Sequence, residues 1–332
     1  MDVPRSPATI QSARDTKNAG FWVRLLAVYV LLPVLLVTTL GLSWLRWESA
    51  QPRDAWFAER QGRIERIASK ETELDGAQLA EAVRLVSDTG LQVSFRVLRE
   101  SDATAPLPIL LILGGHRTGR DAVDLFGDVG GRAIVGVDYP YDGPDKVRGV
   151  LAIAKTIPLA RQAILDTVPA VSLVIDWLLT QPWVDSDRII IVGASLGVPF
   201  AAAAAAREPR ISGAILVHGA ADNRLWLEVQ VARRIKIEAL HYPLSNVLNW
   251  LAYGSVFDTP RFVAMISSRP VVIIAATEDE RTPAGQAELL FEAAGEPRRL
   301  RFTEGLHIQP GRADIVADLL RIADEELMFL TQ

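Results

Sequence analysis

A serine between two glycines is the feature of this sequence that most constrains its fold. The apolar run 188–192 is followed directly by the motif Gly193-Ala194-Ser195-Leu196-Gly197 and then by the alanine-rich stretch 199–206. The apolar run predicts a buried strand, and the alanine-rich stretch predicts a helix. A strand and a helix can pass close together at such a turn because Gly193 and Gly197 carry no side chain.

A serine on a sharp strand-to-helix turn is typical of a nucleophile. The turn exposes the hydroxyl, and the first turn of the helix offers free backbone N–H groups to developing negative charge. The motif therefore predicts that Ser195 is a nucleophile. A serine without chemical function in a glycine-rich turn is the alternative.

The composition excludes several classes of protein. The chain has 332 residues, enough for one large α/β domain or two small ones, and its net charge of −5 offers no basic surface to nucleic acid. It has no cysteine, which excludes disulfides, thiolate metal sites and a cysteine nucleophile. Its histidines lack metal-binding spacing, so we expect neither a metal nor a cofactor; they are His116, His218, His241 and His307.

The N-terminal region predicts a disordered polar tail over 1–20 and a transmembrane anchor over 21–47. Residues 25–45 contain no charged side chain, and a helix of this length reaches about 30 Å, the thickness of a bilayer core. Tryptophans bracket the run, as interfacial aromatic residues do: Trp22, Trp44 and Trp47. A cleaved signal peptide and a buried core helix are the alternatives. We therefore expect a protein with a single membrane span. Because basic residues flank both ends of that span, the side of the membrane on which the domain lies is left open.

Residues 48–90 predict a helical connector, since Leu79, Val83 and Val86 recur at partly helical spacing. The alternating segment 91–97 predicts a half-buried antiparallel strand at a sheet edge. We therefore expect the catalytic domain to begin there and to span 91–332.

Apolar strands alternate with helices from residue 108 to the end of the chain. Strands are predicted over 109–113, 133–137, 188–192, 214–217, 271–275 and 300–302, with helices over 171–179 and 315–330. This alternation favours an α/β fold with a mostly parallel central sheet and helices on both faces. Residues 223–268 interrupt it with amphipathic pieces, which predict either a cap-like helical insertion over the site or surface helices packed on the sheet.

A serine nucleophile needs a base and an acid that orients the base. Asp279 follows the strand 271–275, and the carboxyl end of such a strand borders the ligand crevice of an α/β sheet. We expect Asp279 to be the acid. Glu278 and Glu280 are the alternatives, because one residue of register decides which side chain points inward.

His307 is the expected base, because it is the only histidine after the acid loop. His218, at the end of the strand 214–217, is expected to be a core-edge residue. His241 is expected to pack within the helical insertion or to face the substrate.

An oxyanion requires two hydrogen-bond donors. The backbone N–H of Leu196, the residue after the nucleophile, is expected to be one. The loop after strand 109–113 begins with Gly114 and Gly115, which let the backbone approach a substrate, and the N–H of His116 is the expected second donor. A plain glycine turn is the alternative.

These motifs resemble the α/β-hydrolase superfamily of serine hydrolases over about residues 91–330. Asp279 lies four residues before Pro283, as in the family's Asp-x-x-x-Pro form, and His307 follows a glycine at the family's spacing. The glycine loop resembles the family's His-Gly-x oxyanion loop, with Gly114 where histidine is common. Segments 174–178 and 184–189 resemble the esterase, dienelactone-hydrolase and prolyl-oligopeptidase-like branches.

The resemblance implies a serine hydrolase that cleaves carboxylic esters through a Ser-His-Asp triad and an acyl-enzyme. Together with the apolar run 25–45, which lies outside the resemblance, it predicts a membrane-anchored hydrolase. A peptidase, a thioesterase or an acyltransferase would use the same triad, and a non-catalytic binding protein with this fold is a further alternative. The expected partners are a small or lipid-like acyl substrate and, through the N-terminal helix, a membrane. The oligomeric state is left open.

Overall fold

The computed structural model describes Trp22 and residues 25–74, 77–115, 118–127, 129–144 and 146–330. The chain divides into two compact units, Met1–Glu48 and Ser49–Gln332. The polar tail predicted over 1–20 lies outside the described residues.

The described residues of the first unit form an apolar helix. A π-helical turn, Ala27–Leu31, continues into helix α1, Leu32–Ser49. The span Val28–Ser49 has a mean hydropathy of 2.1, and 0% of its most apolar window is buried. This helix is long and apolar enough to cross a membrane, a property that signal sequences near an N-terminus share.

A nine-stranded sheet with the order β1-β2-β3-β5-β4-β6-β7-β8-β9 forms the centre of the second unit. Its strands are β1 Ile64–Leu74, β2 Gln78–Ser87, β3 Gln92–Glu100, β4 Leu107–Leu113, β5 Ala133–Val137, β6 Val184–Ala194, β7 Gly213–Val217, β8 Val271–Ala276 and β9 Arg298–Thr303. Along this spatial order, the three pairs β1–β2, β2–β3 and β3–β5 are antiparallel. The remaining pairs, from β5–β4 to β8–β9, are parallel. The predicted α/β fold with a mostly parallel sheet is confirmed.

Helices cover both faces of this sheet. They are α2 Asp54–Gln61, α3 Val150–Leu178, α4 Val198–Arg207, α5 Asn223–Ala232, α6 His241–Leu251, α7 Thr259–Ile266, α8 Gln286–Ala293 and α9 Ala313–Leu330, with short 3-10 turns at Gly119–Leu125, Ser195–Gly197 and Glu238–Leu240.

Strand β4 shows how the two cores form. Its alternate residues Ile109 and Leu111 lie in one apolar cluster with α3, α4 and α7, whereas Leu110 and Ile112 lie in a second cluster with α9. Each fully buried aliphatic side chain of this kind stabilises the fold by roughly 1.5–3 kcal/mol. Burial on both faces explains why the central strands are continuously apolar in the sequence.

The prediction of a helical connector over 48–90 is wrong beyond residue 61. Helix α2 is followed by the antiparallel strands β1 and β2, and the compact unit begins at Ser49 instead of at residue 91. Strand β1 is almost entirely exposed, so it shows no apolar alternation. In β2 the buried side chains alternate as Leu79, Glu81, Val83 and Leu85, and the charged Glu81 hides this strand period.

The segment 91–97 is antiparallel, as predicted, but it is not at the edge. It begins β3, which lies between β2 and β5, and the exposed β1 forms the edge instead. The sequence predicts an edge position for this segment because the composition of β1 and β2, which lie outside β3, favours a helix.

Helix α3 is longer than the predicted helix over 171–179. It begins at Val150 and contains both Pro158 and Pro169. A proline inside a helix removes one backbone hydrogen bond, so the sequence favours a helix that begins after the last proline. The length and composition of this helix would suit a membrane span. However, 61% of its most apolar 18-residue stretch is buried within the protein, so it is a core helix.

The predicted insertion over 223–268 consists of α5, α6 and α7. Helix α7 buries Phe262, Val263 and Ile266 in the main core. Helix α5 and the residue after it bind the loop that follows β8. The Gln230 amide donates to the Arg281 carbonyl (3.0 Å), and the guanidinium of Arg233 donates to the Glu280 carbonyl (2.9 Å). The C-terminal part of the insertion is therefore a core helix, and its N-terminal part supports the loop after β8.

We predict that Leu85→Ala destabilises the domain by about 2–5 kcal/mol, because Leu85 is fully buried and its truncation leaves a cavity. Ala82→Ser, on the exposed face of the same strand, is the matched control and is expected to change stability by less than about 0.5 kcal/mol. Chemical denaturation measures both. Equal midpoints for Leu85→Ala and wild type would contradict the assignment of β2 to the domain core.

Candidate active site

A strained turn holds Ser195 at the carboxyl edge of the sheet. Strand β6 ends at Ala194, a 3-10 turn covers Ser195–Gly197, and α4 begins at Val198. Ser195 has a φ of 54°, a left-handed conformation that few residues other than glycine adopt. Such strain is typical of functional positions. The predicted strand, turn and helix are all present.

The two glycines of the motif are required by close contacts. A Cβ atom on Gly197 would lie 1.9 Å from the carbonyl oxygen of Leu113, and one on Gly193 would lie 2.6 Å from the Cβ of Ala201. The register of the parallel pair places Leu113 of β4 opposite Gly193 of β6. The serine turn and the loop that follows β4 are thus packed against each other.

Three predicted site residues meet through hydrogen bonds. His307 Nε2 lies 2.7 Å from Ser195 Oγ, and His307 Nδ1 lies 2.9 and 3.0 Å from the two carboxylate oxygens of Asp279. Because an ionised carboxylate only accepts, Nδ1 carries the proton and Nε2 is free to accept from the serine hydroxyl. His307 is 1% exposed, so these bonds lie away from bulk water.

The structure distinguishes the three carboxylates of the acid loop. Asp279 bonds to the imidazole of His307, whereas Glu280 accepts the backbone N–H of His307 at 2.9 Å. Arg312 pairs with Glu280 at 3.0 Å and also donates to the His307 carbonyl. The Glu278 side chain is exposed. One carboxylate orients the ring, and its neighbour fixes the backbone of the same residue.

Asp279 remains ionised in this setting. Burial alone would raise its pKa, but the hydrogen bond and charge of His307, together with the N–H groups of Thr282 and Arg281, lower it below the usual value. A carboxylate that stays charged can hold the imidazole in one orientation and stabilise its cation.

The loop after β4 is fastened by side chains that the sequence analysis did not identify. The Tyr139 hydroxyl donates to the Gly114 carbonyl at 2.7 Å, and the Thr118 hydroxyl donates to that of Gly115 at 2.9 Å. His116, the expected second oxyanion donor, lies outside the described residues. Leu196 is the first residue after the serine, within the 3-10 turn.

His218 has contacts that the sequence did not predict, because the sequence placed this residue only at the edge of the core. It is 2% exposed and lies directly after β7 with a φ of 51°. Its Nδ1 accepts the backbone N–H of Ile308 at 2.9 Å, and its Nε2 lies 3.0 Å from Thr303 Oγ1. Its position at the carboxyl end of a parallel strand was the signal available in the sequence.

One group of described residues has the composition of a metal site. The ligand atoms of His218, Asp279 and His307 lie within 4.8 Å of one another. Both ring nitrogens of each histidine already have protein partners. A cation would have to displace the bond between His307 and either Ser195 or Asp279, so the group does not fit a resident metal.

His241 packs within the helical insertion. Its Nε2 lies 2.8 Å from the backbone oxygen of Ile235, and the side chain is half-buried. This contact agrees with the packing role, which was one of the two expected for it.

Comparison with known proteins finds one matching family model and many similar structures. Residues 165–302 match the model of the prolyl oligopeptidase family. The acetyl xylan esterase from Paenibacillus sp. R4 superposes with a TM-score of 0.59 at 15% identity, covering 85% of this chain and 98% of that one. Acetyl xylan esterase 1 from Thermoanaerobacterium sp. JW/SL YS485 gives 0.58 at 16% identity, covering 87% and 98%.

A cold-adapted esterase from an Arctic intertidal metagenomic library gives a TM-score of 0.52 at 16% identity, covering 77% of this chain and 97% of that one. No curated protein sequence matches. At these identities the likeness concerns the fold, and the fold is that of the α/β-hydrolases.

We predict that Gly197→Ala lowers stability by about 1–3 kcal/mol or more, because the new methyl group would overlap the Leu113 carbonyl. Gly127→Ala is the control, since a Cβ there meets no atom within 4 Å. Thermal unfolding of both variants measures the difference. A Gly197→Ala protein as stable as Gly127→Ala would contradict the close packing of the turn.

Proposed function

We propose that this chain, which has the fold of the α/β-hydrolases and matches the prolyl oligopeptidase family model over residues 165–302, cleaves carboxylic esters with Ser195, His307 and Asp279 through a covalent acyl-enzyme. The observation that carries this proposal is the hydrogen-bond chain from Ser195 Oγ through both nitrogens of His307 to Asp279, with distances of 2.7 and 2.9 Å. The shorter distance suits proton transfer from the Ser195 hydroxyl to His307, and the longer one suits a hydrogen bond by which Asp279 orients the imidazole.

In the proposed first step, Ser195 Oγ attacks the acyl carbonyl carbon and its proton passes to His307 Nε2. The imidazolium keeps its other proton on Nδ1, where the ionised Asp279 stabilises the charge. The tetrahedral intermediate then collapses, its C–O bond to the alcohol breaks, and His307 returns the proton to the leaving alcohol.

In the second step, a water molecule replaces the alcohol. His307 accepts a proton from it while the oxygen attacks the acyl carbon, and the acid is released as Ser195 recovers its proton.

The oxyanion would be held by backbone N–H groups. Leu196 N–H follows the nucleophile in the 3-10 turn that leads into α4, and the N-terminal end of a helix favours negative charge. The glycine loop after β4 lies against the turn, as the contact between Leu113 and Gly197 requires. This proximity supports His116 N–H as the second donor.

An ester substrate is supported by the names of similar structures, which include two acetyl xylan esterases and a cold-adapted esterase. A small or lipid-like acyl group is the substrate class that we propose. Because the matching family model is that of prolyl oligopeptidases, the assay panel contains p-nitrophenyl acyl esters, an acyl-CoA and an aminoacyl p-nitroanilide. Faster turnover of the anilide or the thioester than of every ester would overturn the choice of bond.

We predict that a fluorophosphonate probe labels wild type and that Ser195→Ala removes the labelling completely. His307→Gln should lower labelling and kcat for ester hydrolysis by at least about 1000-fold, because the hydroxyl loses its base. Asp279→Asn should lower kcat by about 100- to 10,000-fold, because an amide does not hold the same tautomer.

The control for these variants is Glu278→Gln, whose side chain is exposed and which should leave kcat unchanged. Circular dichroism establishes that each variant is folded. Labelling that persists in Ser195→Ala would mean that another residue is the nucleophile. A folded wild type that neither labels nor hydrolyses any ester would favour a binding function.

We further propose that the N-terminal helix anchors the enzyme in a membrane as a single span. The apolar, exposed span Val28–Ser49 supports this, and Trp44 and Trp47 near its end suit a bilayer interface. A signal sequence is the competing role, and the two differ in whether the helix remains in the mature protein.

We predict that the full chain stays in the membrane fraction after carbonate extraction and that residues 49–332 alone are recovered in the supernatant, because only the full chain buries about 20 apolar residues in lipid. N-terminal mass spectrometry of the extracted protein is the second measurement. A mature chain that begins beyond the helix would show that it is a cleaved signal.

A further inference from the structure

We infer that His218 is a positioning residue for His307, holding the loop of the base in register with the acid loop. This inference rests on the proposed function, since it assigns a role relative to the proposed base. Nothing in the mechanism above requires His218 to contact the substrate.

His218 connects the ends of three neighbouring strands. It follows β7 directly, and its backbone N–H donates to Ile274 of β8 at 2.8 Å. Its carbonyl accepts the hydroxyl of Thr282, in the acid loop, at 3.1 Å. Its ring bonds to Thr303 at the end of β9 and to Ile308, the residue after His307. One residue therefore contacts both loops that carry the proposed acid and base.

The hydrogen bonds assign a single tautomer to this ring. Nδ1 accepts the N–H of Ile308, so it carries no proton. The Thr303 hydroxyl donates to the Ala275 carbonyl at 3.3 Å, which leaves its lone pair for the N–H at Nε2 of His218. Both nitrogens are satisfied only when the ring is neutral.

The surroundings keep His218 neutral. Burial, followed by the positive charge that His307 can carry, lowers the pKa of His218 to about 4, although Asp279 and Glu280 oppose this shift. The two imidazole rings lie 5.6 Å apart between centroids. A neutral neighbour suits the proposed mechanism, because a second cation here would disfavour the imidazolium that forms on His307.

The consequence concerns the geometry of the base. The bond to Ile308 N–H fixes the backbone immediately after His307, while Glu280 and Arg312 fix His307 N–H and its carbonyl. A displacement of about 1 Å in a catalytic group can lower the rate by roughly 100-fold. Removing the acceptor at position 218 should therefore reduce kcat more than it alters KM.

Two matched pairs of variants test the inference in the full chain. His218→Phe keeps a buried ring but has no acceptor, whereas His218→Asn places an amide near the Nδ1 position and tolerates a positive φ. Thr303→Val removes the partner of Nε2, whereas Thr303→Ser keeps the hydroxyl. His241→Phe, a histidine outside the site, controls for the loss of an imidazole as such.

We predict that His218→Phe lowers kcat by roughly 10- to 100-fold with KM changed less than about threefold. His218→Asn should regain most of that loss. Thr303→Val should lower kcat by a smaller factor and Thr303→Ser should regain it, while His241→Phe matches wild type. The Thr303 pair keeps the backbone strain at position 218 constant, so recovery there reports the hydrogen bond.

The pH profile supplies a readout that a purely structural role would not change. Protonation of His218 as pH falls toward about 4 would turn Nδ1 into a donor facing the Ile308 N–H, breaking that bond. On the acid side of the pH profile, the loss of kcat/KM in wild type should therefore depend on one more proton than the loss in His218→Asn. The slope of log kcat/KM against pH should be steeper by one for wild type. His307, Asp279 and Glu280 surround the ring in both proteins, so the difference isolates His218.

The outcomes separate this inference from the proposed function. If wild type is not labelled by the fluorophosphonate probe, the proposed function fails. If wild type is labelled and His218→Phe and Thr303→Val are labelled and turn over as fast as wild type, only the positioning role fails. If His218→Phe does not fold, the Thr303 pair and the acid side of the His218→Asn pH profile decide. The inference would be overturned if Thr303→Val had the same kcat as Thr303→Ser and if His218→Asn had the same acid-side slope as wild type.

Discussion

The close approach of the turn at Gly197 to the end of β4 is the contact on which the arrangement of the site depends. With no side chain on Gly197, the turn after β6 comes within reach of the Leu113 carbonyl, and the serine is held above the edge of the sheet. Parallel strands deliver their following loops to that same edge. The loops after β7, β8 and β9 therefore meet at the edge that holds Ser195, and His307 bonds to the serine although it lies 112 residues away in sequence.

The sequence predicted those parts of the molecule in which one physical rule dominates. Strands buried on both faces must be apolar throughout, so β4 to β8 were recognisable, and the order of serine, acid and base followed from the strand ends. Strand β1 has no buried face to mark it, and β2 places Glu81 among its buried positions. The composition of these two strands is typical of a charged helix. What makes them strands is their pairing with neighbouring strands, which the sequence of each segment alone does not show.

The sequence favoured Asp279 as the acid of the candidate site, but it left Glu278 and Glu280 of the same loop as alternatives. Asp279 and Glu280 are consecutive, and both contact His307, one at the ring and the other at the backbone. Which side chain points to the ring depends on the turn formed when the N–H groups of Arg281 and Thr282 donate to Asp279. That turn is set by tertiary contacts, including the bonds from α5 to the carbonyls of Glu280 and Arg281, which periodicity does not reveal.

His218 shows why a buried polar residue at a strand end differs from one in the middle of a core. Burying an imidazole removes its bonds to water, which must be replaced at both nitrogens for the burial to be tolerated. In the interior of a sheet the backbone groups are occupied by the ladder, whereas at the carboxyl edge the loop N–H of Ile308 and the hydroxyl of Thr303 are available. The edge that carries Ser195 and His307 thus also supplies the partners that keep a neutral histidine beside the proposed base.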